Sequence, residues 1–158
     1  MKSAAHRGIG CIAPWLIGLV LLLLAGLPAF GELGGDISTV STDQARLKAN
    51  LQVMRTNNYS VHEISSSEGS TVREYASAEG KIFAVAWEGP YIPDLRQLLG
   101  KYFQQFSQAA QRRTGPRGPL KIEEPGLVVQ SGGHMRSFFG RAYLPDMLPT
   151  DVRPEEIR

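Results

Sequence analysis

Three side chains could act together in a chemical step, namely His62, His134 and Arg136. A histidine can move a proton or bind a metal, and an arginine can hold an anion. Zinc sites take three or four ligands at characteristic spacings. Here the two histidines belong to separate predicted strands, and no such spacing occurs. We expect no metal and no cofactor, and we treat the three residues as possible polar groups of one pocket.

The only cysteine, Cys11, lies in a segment with the pattern of a secretory signal peptide. A short basic start is followed by an apolar run from Cys11 to Leu27 and by the small-residue pattern Ala29-Phe30-Gly31. We expect cleavage between Gly31 and Glu32, which would make the protein periplasmic or extracellular. Retention as an inner-membrane anchor is the alternative. Cleavage would leave no cysteine for disulfides or thiol catalysis.

Charge is distributed unevenly along the sequence. The formal net charge of +2 disappears with the expected signal peptide, because Lys2 and Arg7 leave with it. In residues 32–158, basic residues exceed acidic ones only between positions 95 and 141, and Arg112, Arg113 and Arg117 cluster there. These arginines are candidate contacts for an anionic envelope polymer. They also suit the negative end of a helix dipole. Export argues against nucleic acid as a partner.

A second candidate surface is the corner that follows the most apolar segment. The sequence from Glu88 to Pro93 contains two prolines, which make it rigid. Trp87 and Tyr91 flank or occupy this corner and could contact a partner protein. The alternative is that both rings cap the core, since large aromatic side chains are usually mostly buried.

Hydrophobic periodicity predicts an α+β domain. We expect an antiparallel sheet of about five strands, formed by a three-stranded meander and a closing hairpin. One long amphipathic helix should pack on the sheet, with Leu99 and Phe103 in the core, and a leading N-terminal helix should precede it. The predicted segments are a helix over 41–55, strands over 59–64, 71–75 and 81–87, a helix from Pro93 to about 113, and strands over 126–131 and 134–143 joined by Gly132-Gly133.

These segments define the domain organisation. Residues 1–31 form the signal peptide and residues 32–40 a flexible lead-in. Residues 41–148 form a single α+β domain, and residues 149–158 form an irregular, proline-containing tail.

Several motifs in order resemble one bacterial family of exported domains of unknown function, the family numbered 2844. The resemblance covers about residues 32–148 and implies a signal peptide and a single domain, but it brings no activity, ligand or catalytic residue. The motifs are Val61-His-Glu-Ile64, Val72-Arg-Glu-Tyr75, Lys81-Ile-Phe-Ala-Val-Ala-Trp-Glu-Gly-Pro90, Pro93-Asp-Leu-Arg-Gln-Leu-Leu-Gly100, Ser131-Gly-Gly-His-Met-Arg136 and Gly140-Arg-Ala-Tyr-Leu-Pro145.

The sequence favours a non-catalytic binding or interaction module of the bacterial periplasm or envelope, with an envelope protein or an anionic envelope polymer as partner. The alternative is a small exported hydrolase that acts on cell-wall material. A concave pocket holding His62, His134, Arg136 and a carboxylate would favour the enzyme. Exposed aromatic side chains between Trp87 and Ile92 would favour the binding module.

Overall fold

The computed structural model describes residues 32–39, 50–113 and 118–158. Seven antiparallel strands form one sheet, in the spatial order β1-β2-β3-β4-β7-β6-β5. The strands are β1 (Asn50–Arg55), β2 (Tyr59–Ser65), β3 (Thr71–Ser77), β4 (Ile82–Gly89), β5 (Leu120–Glu124), β6 (Leu127–His134) and β7 (Ser137–Tyr143). The helices are α1 (Leu95–Leu99) and α2 (Phe103–Arg112), and short 3-10 turns lie at Ile37–Thr39, Gly100–Tyr102, Pro145–Met147 and Pro154–Glu156.

The antiparallel α+β architecture agrees with the sequence prediction, but the strand count of five was too low. The first additional strand, β1, occupies the second half of the predicted N-terminal helix. Leu51 and Met54 fit a helical stripe, yet both pair with β2, opposite Ile64 and Val61. The exposed edge of β2 gains a full ladder of backbone hydrogen bonds from this pairing, which outweighs a weak local helix preference. Residues 41–49 of the predicted helix lie outside the described residues.

The second additional strand, β5, follows the proline-rich loop and carried a recognisable signal. Leu120 and Ile122 alternate with polar residues, as a half-buried strand requires. The turn to β6 consists of Pro125 and Gly126, and Gly126 has a φ of 73°. A proline followed by a glycine at positive φ is typical of a type II turn. The sequence therefore contained a hairpin that the periodicity analysis missed.

The closing hairpin turns three residues later than predicted. Gly132 and Gly133 remain in β6, opposite Phe139 and Phe138, and the turn consists of Met135 and Arg136. Glycine suits position 132 in this strand, because the tip of the Phe139 ring lies 3.0 Å from the place that a Cβ atom would occupy.

The predicted long helix is present, but Gly100 interrupts it. Asp94 caps the N-terminus of α1 with hydrogen bonds from the backbone N–H groups of Arg96 and Gln97 at 2.9 and 3.4 Å. Gly100 then has a φ of 51°, and the Glu32 side chain occupies the space next to its α-carbon. Only glycine fits this combination, so the helical segment bends there before it continues as α2.

Two hydrophobic clusters lie on opposite sides of the sheet. On the helix face, which carries Val85 and Trp87, Leu99 is fully buried and Phe103 is partly buried. The prediction that both lie in the core is therefore correct for Leu99 and holds in part for Phe103. We call the other face the tail face. There, Val152 and Ile157 of the segment 149–158 pack over Phe83.

The segment expected to be a flexible lead-in packs against the sheet over residues 33–37. Leu33 is fully buried, and its N–H donates to the Leu98 carbonyl at 3.0 Å. Asp36 forms an isolated β-bridge with Lys81 and an ion pair with it at 3.4 Å. In the described part of the chain, no helix has the length and apolar character needed to cross a membrane.

Candidate functional site

The three predicted pocket residues do not come together. His62 lies on β2, while His134 ends β6, and three strands (β3, β4 and β7) separate β2 from β6. At roughly 4.8 Å per strand, the two histidines are at least about 19 Å apart. Arg136 is exposed in the β6–β7 turn at a φ of 66°. The described residues contain no group of three or more His, Cys, Asp or Glu side chains placed to hold a metal ion.

His62 is instead half-buried on the helix face, directly opposite Glu74 of β3. Its Nε2 lies 3.1 Å from the Ser60 hydroxyl, and its buried Nδ1 has no hydrogen-bond partner. Burial, with a smaller contribution from the charge of Arg55, lowers the pKa of His62 below its usual value of 6.5. Burial therefore favours the neutral form of the ring.

The corner predicted as a partner surface is exposed only in part. Trp87 is 2% exposed, so its ring belongs to the core rather than to a binding surface. Tyr91 and Ile92 are 57% and 48% exposed. His62, His134 and Arg136 therefore form no common pocket, and of the two aromatic side chains of the corner Tyr91 is exposed and Trp87 is not.

The two described arginines of the predicted basic stretch, Arg112 and Arg113, form contacts within the domain. Arg112 pairs with Glu124 at 3.1 Å, and Arg113 donates to the Pro119 carbonyl at 3.0 Å. Arg117 lies outside the described residues. Arg112 therefore links α2 to the end of β5, and Arg113 links the end of α2 to the residue before β5.

Sequence reasoning missed a cleft of about 660 Å³ on the tail face. Its charged side chains are three basic ones and one acidic one, with an aromatic ring and an amide beside them. We call this cavity the basic cleft, and we define it by Lys121, Gln130, Phe139, Arg141, Arg158 and Glu88.

Strand register brings the floor of the basic cleft together. Arg141 of β7 lies opposite Gln130 of β6, and Gln130 lies opposite Lys121 of β5. Cross-strand partners share a face of the sheet. The three side chains therefore form one polar row, which ends at the β5 edge. The row exists only because β5 returns to the edge beside β6, so residue spacing alone did not show it.

Arg141 is the central group of this row. Its Nε and Nη2 donate to Gln130 Oε1 at 2.9 and 2.7 Å, and its Nη1 donates to the carbonyls of Pro154 and Ile157 at 2.6 and 3.2 Å. All these acceptors are neutral. Arg141 forms no ion pair with a carboxylate of the described residues. Its positive charge is thus held half-buried beside an open cavity.

The neighbouring polar groups of the cleft are mostly hydrogen-bond donors. A guanidinium group can only donate, so the oxygen of Gln130 faces Arg141 and its amide nitrogen is left as a donor. Lys121 pairs with Glu123 at 2.8 Å, and both side chains are about 60% exposed. Such a surface pair is weak and opens easily.

The acidic side chain of the cleft, Glu88, is already neutralised in part. Arg73 donates to Glu88 at 2.8 Å and to Glu63 at 2.6 Å, so it bridges both. Burial opposes the charged form of Arg73, but these two hydrogen bonds outweigh burial and raise its pKa. A second cleft of about 520 Å³ lies over this network and shares Glu88 and Arg158 with the basic cleft. The arrangement can accept an anionic group near Arg141 and Lys121.

Comparison with known protein families identifies the family of this chain. The family model described as "Protein of unknown function (DUF2844)" matches residues 29–157. The chain therefore belongs to this family. No curated protein and no solved structure matches it. The resemblance drawn from the motifs is confirmed at the level of the family.

Proposed function

We propose that the protein is an exported, non-catalytic binding module of the bacterial envelope that holds an anionic partner in the basic cleft. The observation that carries this proposal is Arg141, a half-buried cation whose acceptors are all neutral, in a cavity lined by three basic side chains and one acidic side chain. An uncompensated charge in a partly buried site costs desolvation energy. An incoming anion would recover part of this energy, because hydrogen bonds between ionised groups are the strong ones.

The N-terminal pattern supports the location, since a basic start, an apolar run and small residues precede Glu32. The hydrolase suggested as an alternative by the sequence stays a hypothesis. No arrangement among the described residues favours it over binding.

Binding of the full chain to immobilised dextran sulfate and to uncharged dextran tests the proposal. We expect retention on dextran sulfate only, and a dissociation constant that rises with salt concentration because exposed charges are screened. Arg141→Gln should weaken binding about tenfold, as expected for a hydrogen bond between charged groups. Lys121→Gln should weaken it about two- to fivefold, as expected for an exposed ion pair.

Two control variants locate the effect. Lys101→Gln removes an exposed lysine outside the cleft, and it should leave the dissociation constant unchanged. Replacing Arg112 and Arg113 by Gln removes the basic stretch that the sequence indicated. Equal affinity for dextran and dextran sulfate would contradict the proposal, as would a loss of binding in the Arg112 and Arg113 variant that matches the loss in Arg141→Gln.

A further inference from the structure

An exposed aromatic ring lies beside the cationic row of the basic cleft. Phe139 precedes Arg141 by two residues on β7, so both side chains leave the same face of the sheet. Their α-carbons are about 7 Å apart, twice the rise per residue of a strand. Phe139 is 58% exposed, which is unusual for a large apolar side chain within a sheet.

The position of the Phe139 ring is defined by its neighbour across the strand pair. The tip of the ring lies over Gly132 of β6, with Cζ 3.0 Å from the place that a Cβ atom would occupy. Because Gly132 has no side chain, the ring can lie along the sheet rather than stand away from it. The ring is therefore a platform at the side of the cleft, with part of its surface open to solvent.

The Phe139 ring next to the Arg141 cation favours a ligand that has both an apolar face and an anionic group. Ligand sites combine apolar or aromatic surface with a few polar groups that fix orientation. A pyranose ring presents C–H groups on its faces, which can pack on an aromatic ring, and hydroxyl groups at its rim, which accept hydrogen bonds from donors such as the Gln130 amide. An acidic sugar adds an anionic group that Arg141 can bind. A phosphate chain without sugars would use the cations and leave Phe139 unused.

We propose that the basic cleft binds an acidic saccharide, with a sugar ring packed on Phe139 and its carboxylate or phosphate group on Arg141 and Lys121. This inference rests on the proposed function, because it assumes that the cleft binds anions. It adds the class of ligand and assigns the contact with the sugar to Phe139.

Binding measurements with four polymers test this inference on the full chain. The polymers are polygalacturonate, phosphomannan, uncharged dextran and inorganic polyphosphate. We expect at least one of the two acidic glycans to bind and dextran not to bind. The two glycans distinguish a carboxylate from a phosphate as the anionic group.

Variants of the platform separate stacking from charge. Phe139→Ala should weaken binding of the acidic glycan about tenfold, since aromatic packing contributes about 1 kcal/mol or more. It should not change binding of polyphosphate. Gly132→Ala should act in the same direction, because the added methyl group displaces the ring tip. Met135→Ala is the matched control, as Met135 is 86% exposed and does not line the cleft.

The outcomes distinguish the inference from the proposed function. If polyphosphate binds and neither acidic glycan does, the saccharide inference is wrong and anion binding stands. Unchanged glycan affinity in Phe139→Ala also overturns the inference. If none of the three anionic polymers binds, the inference is wrong, and the proposed function fails with it when dextran sulfate is not retained either.

Discussion

Trp87 of β4 lies directly opposite Gly140 of β7, and its indole ring occupies the space that a side chain on Gly140 would need. The six-membered ring of the indole covers the α-carbon of Gly140, and the Gln130 carbonyl closes the other side at 2.8 Å from the position of a Cβ atom. This pairing explains how the large Trp87 side chain is buried beside the sheet rather than exposed at the corner.

Gly140→Ala should therefore destabilise the domain. The new methyl group would meet the rigid indole and the β6 backbone, and overpacking of this kind costs about 1–3 kcal/mol. Chemical denaturation with Trp fluorescence measures the change, and a blue or red shift of native emission would report displacement of Trp87. Gly118→Ala is the control, because nothing lies within 4 Å of a Cβ atom there. Equal midpoints for the two variants would contradict the pairing.

Leu99 should be the most sensitive position of the helical segment. Its side chain is fully buried between α1 and the sheet. Leu99→Ala should cost about 2–5 kcal/mol through lost burial and a residual cavity, which is a large part of the roughly 5–15 kcal/mol typical of a domain. Urea denaturation measures this loss. Gln104→Ala, on the exposed side of α2, should leave the midpoint within error, and a similar loss there would show that helix propensity, not burial, is being measured.

Much of the fold was predictable where one local signal dominated. The strand from Ile82 to Trp87 is apolar on both faces and proved to be central in the sheet. The sequence predicted that Ala84 and Ala86 share a face opposite Val85 and Trp87, and this is correct. It placed Ile82 with the two alanines and Phe83 with Val85, whereas Ile82 packs on the helix face and Phe83 on the tail face. The register of the paired strand shifts between Tyr75 and Ala76, which reverses both side chains at this end of β4. A β-bulge of this kind has no simple sequence signal.

The candidate site was not predictable from the sequence, for a topological reason. Arg141, Gln130 and Lys121 meet only because the helical crossover carries the chain from β4 to the far edge and the next two strands return. Each residue alone resembles an ordinary surface residue. The histidines were conspicuous by type, but they are separated by this same strand order. Spacing along the chain therefore selected the wrong residues.

Acidification should destabilise the protein through His62. Burial and then the charge of Arg55 lower the pKa of His62 in the folded state below 6.5. Below the pKa of the unfolded state, near 6.5, His62 binds a proton more readily in the unfolded chain than in the folded chain. The stability that His62 contributes is thus present above pH 6.5 and is lost as the pH falls through the folded pKa.

Denaturation midpoints measured from about pH 7.5 to about pH 5 test this effect of His62, because this range brackets the unfolded pKa of about 6.5. His62→Gln should flatten the pH dependence relative to the unchanged protein. His134→Gln, at the exposed end of β6, should retain it. An identical slope in His62→Gln would assign the pH dependence to other groups.

Processing of the N-terminus should end close to Glu32. Leu33 is fully buried against α1 and bonds to the Leu98 carbonyl, so cleavage beyond it would remove a core side chain. Mass spectrometry and N-terminal sequencing of the exported protein should give Glu32 as the first residue. Replacing Ala29 by a bulky residue such as Leu should slow cleavage at the small-residue pattern. Recovery of an intact chain from Met1 in the inner membrane would support an anchor instead.

Tyr75 should hold the C-terminal tail on the sheet. Its hydroxyl donates to the Arg158 carbonyl at 2.8 Å and accepts from the Arg158 N–H at 3.1 Å. Burial is the main cause of the raised pKa of Tyr75, so the hydroxyl keeps its proton and can donate. Tyr75→Phe removes both bonds. Because Arg158 is exposed, water can replace the lost partner, and the cost should be that of an ordinary hydrogen bond, about 0.5–1.5 kcal/mol.

Because this loss falls on the tail, local opening should increase more than global unfolding. A glutamate-specific protease should then cleave faster after Glu155 or Glu156, and the rate can be followed by intact mass. Tyr91→Phe, whose ring is 57% exposed, is the matched control and should not change the rate. Since Arg141 also binds the Pro154 and Ile157 carbonyls, Arg141→Gln should accelerate cleavage as well. Unchanged cleavage in both Tyr75→Phe and Arg141→Gln would show that burial of Val152 and Ile157 alone fixes the tail.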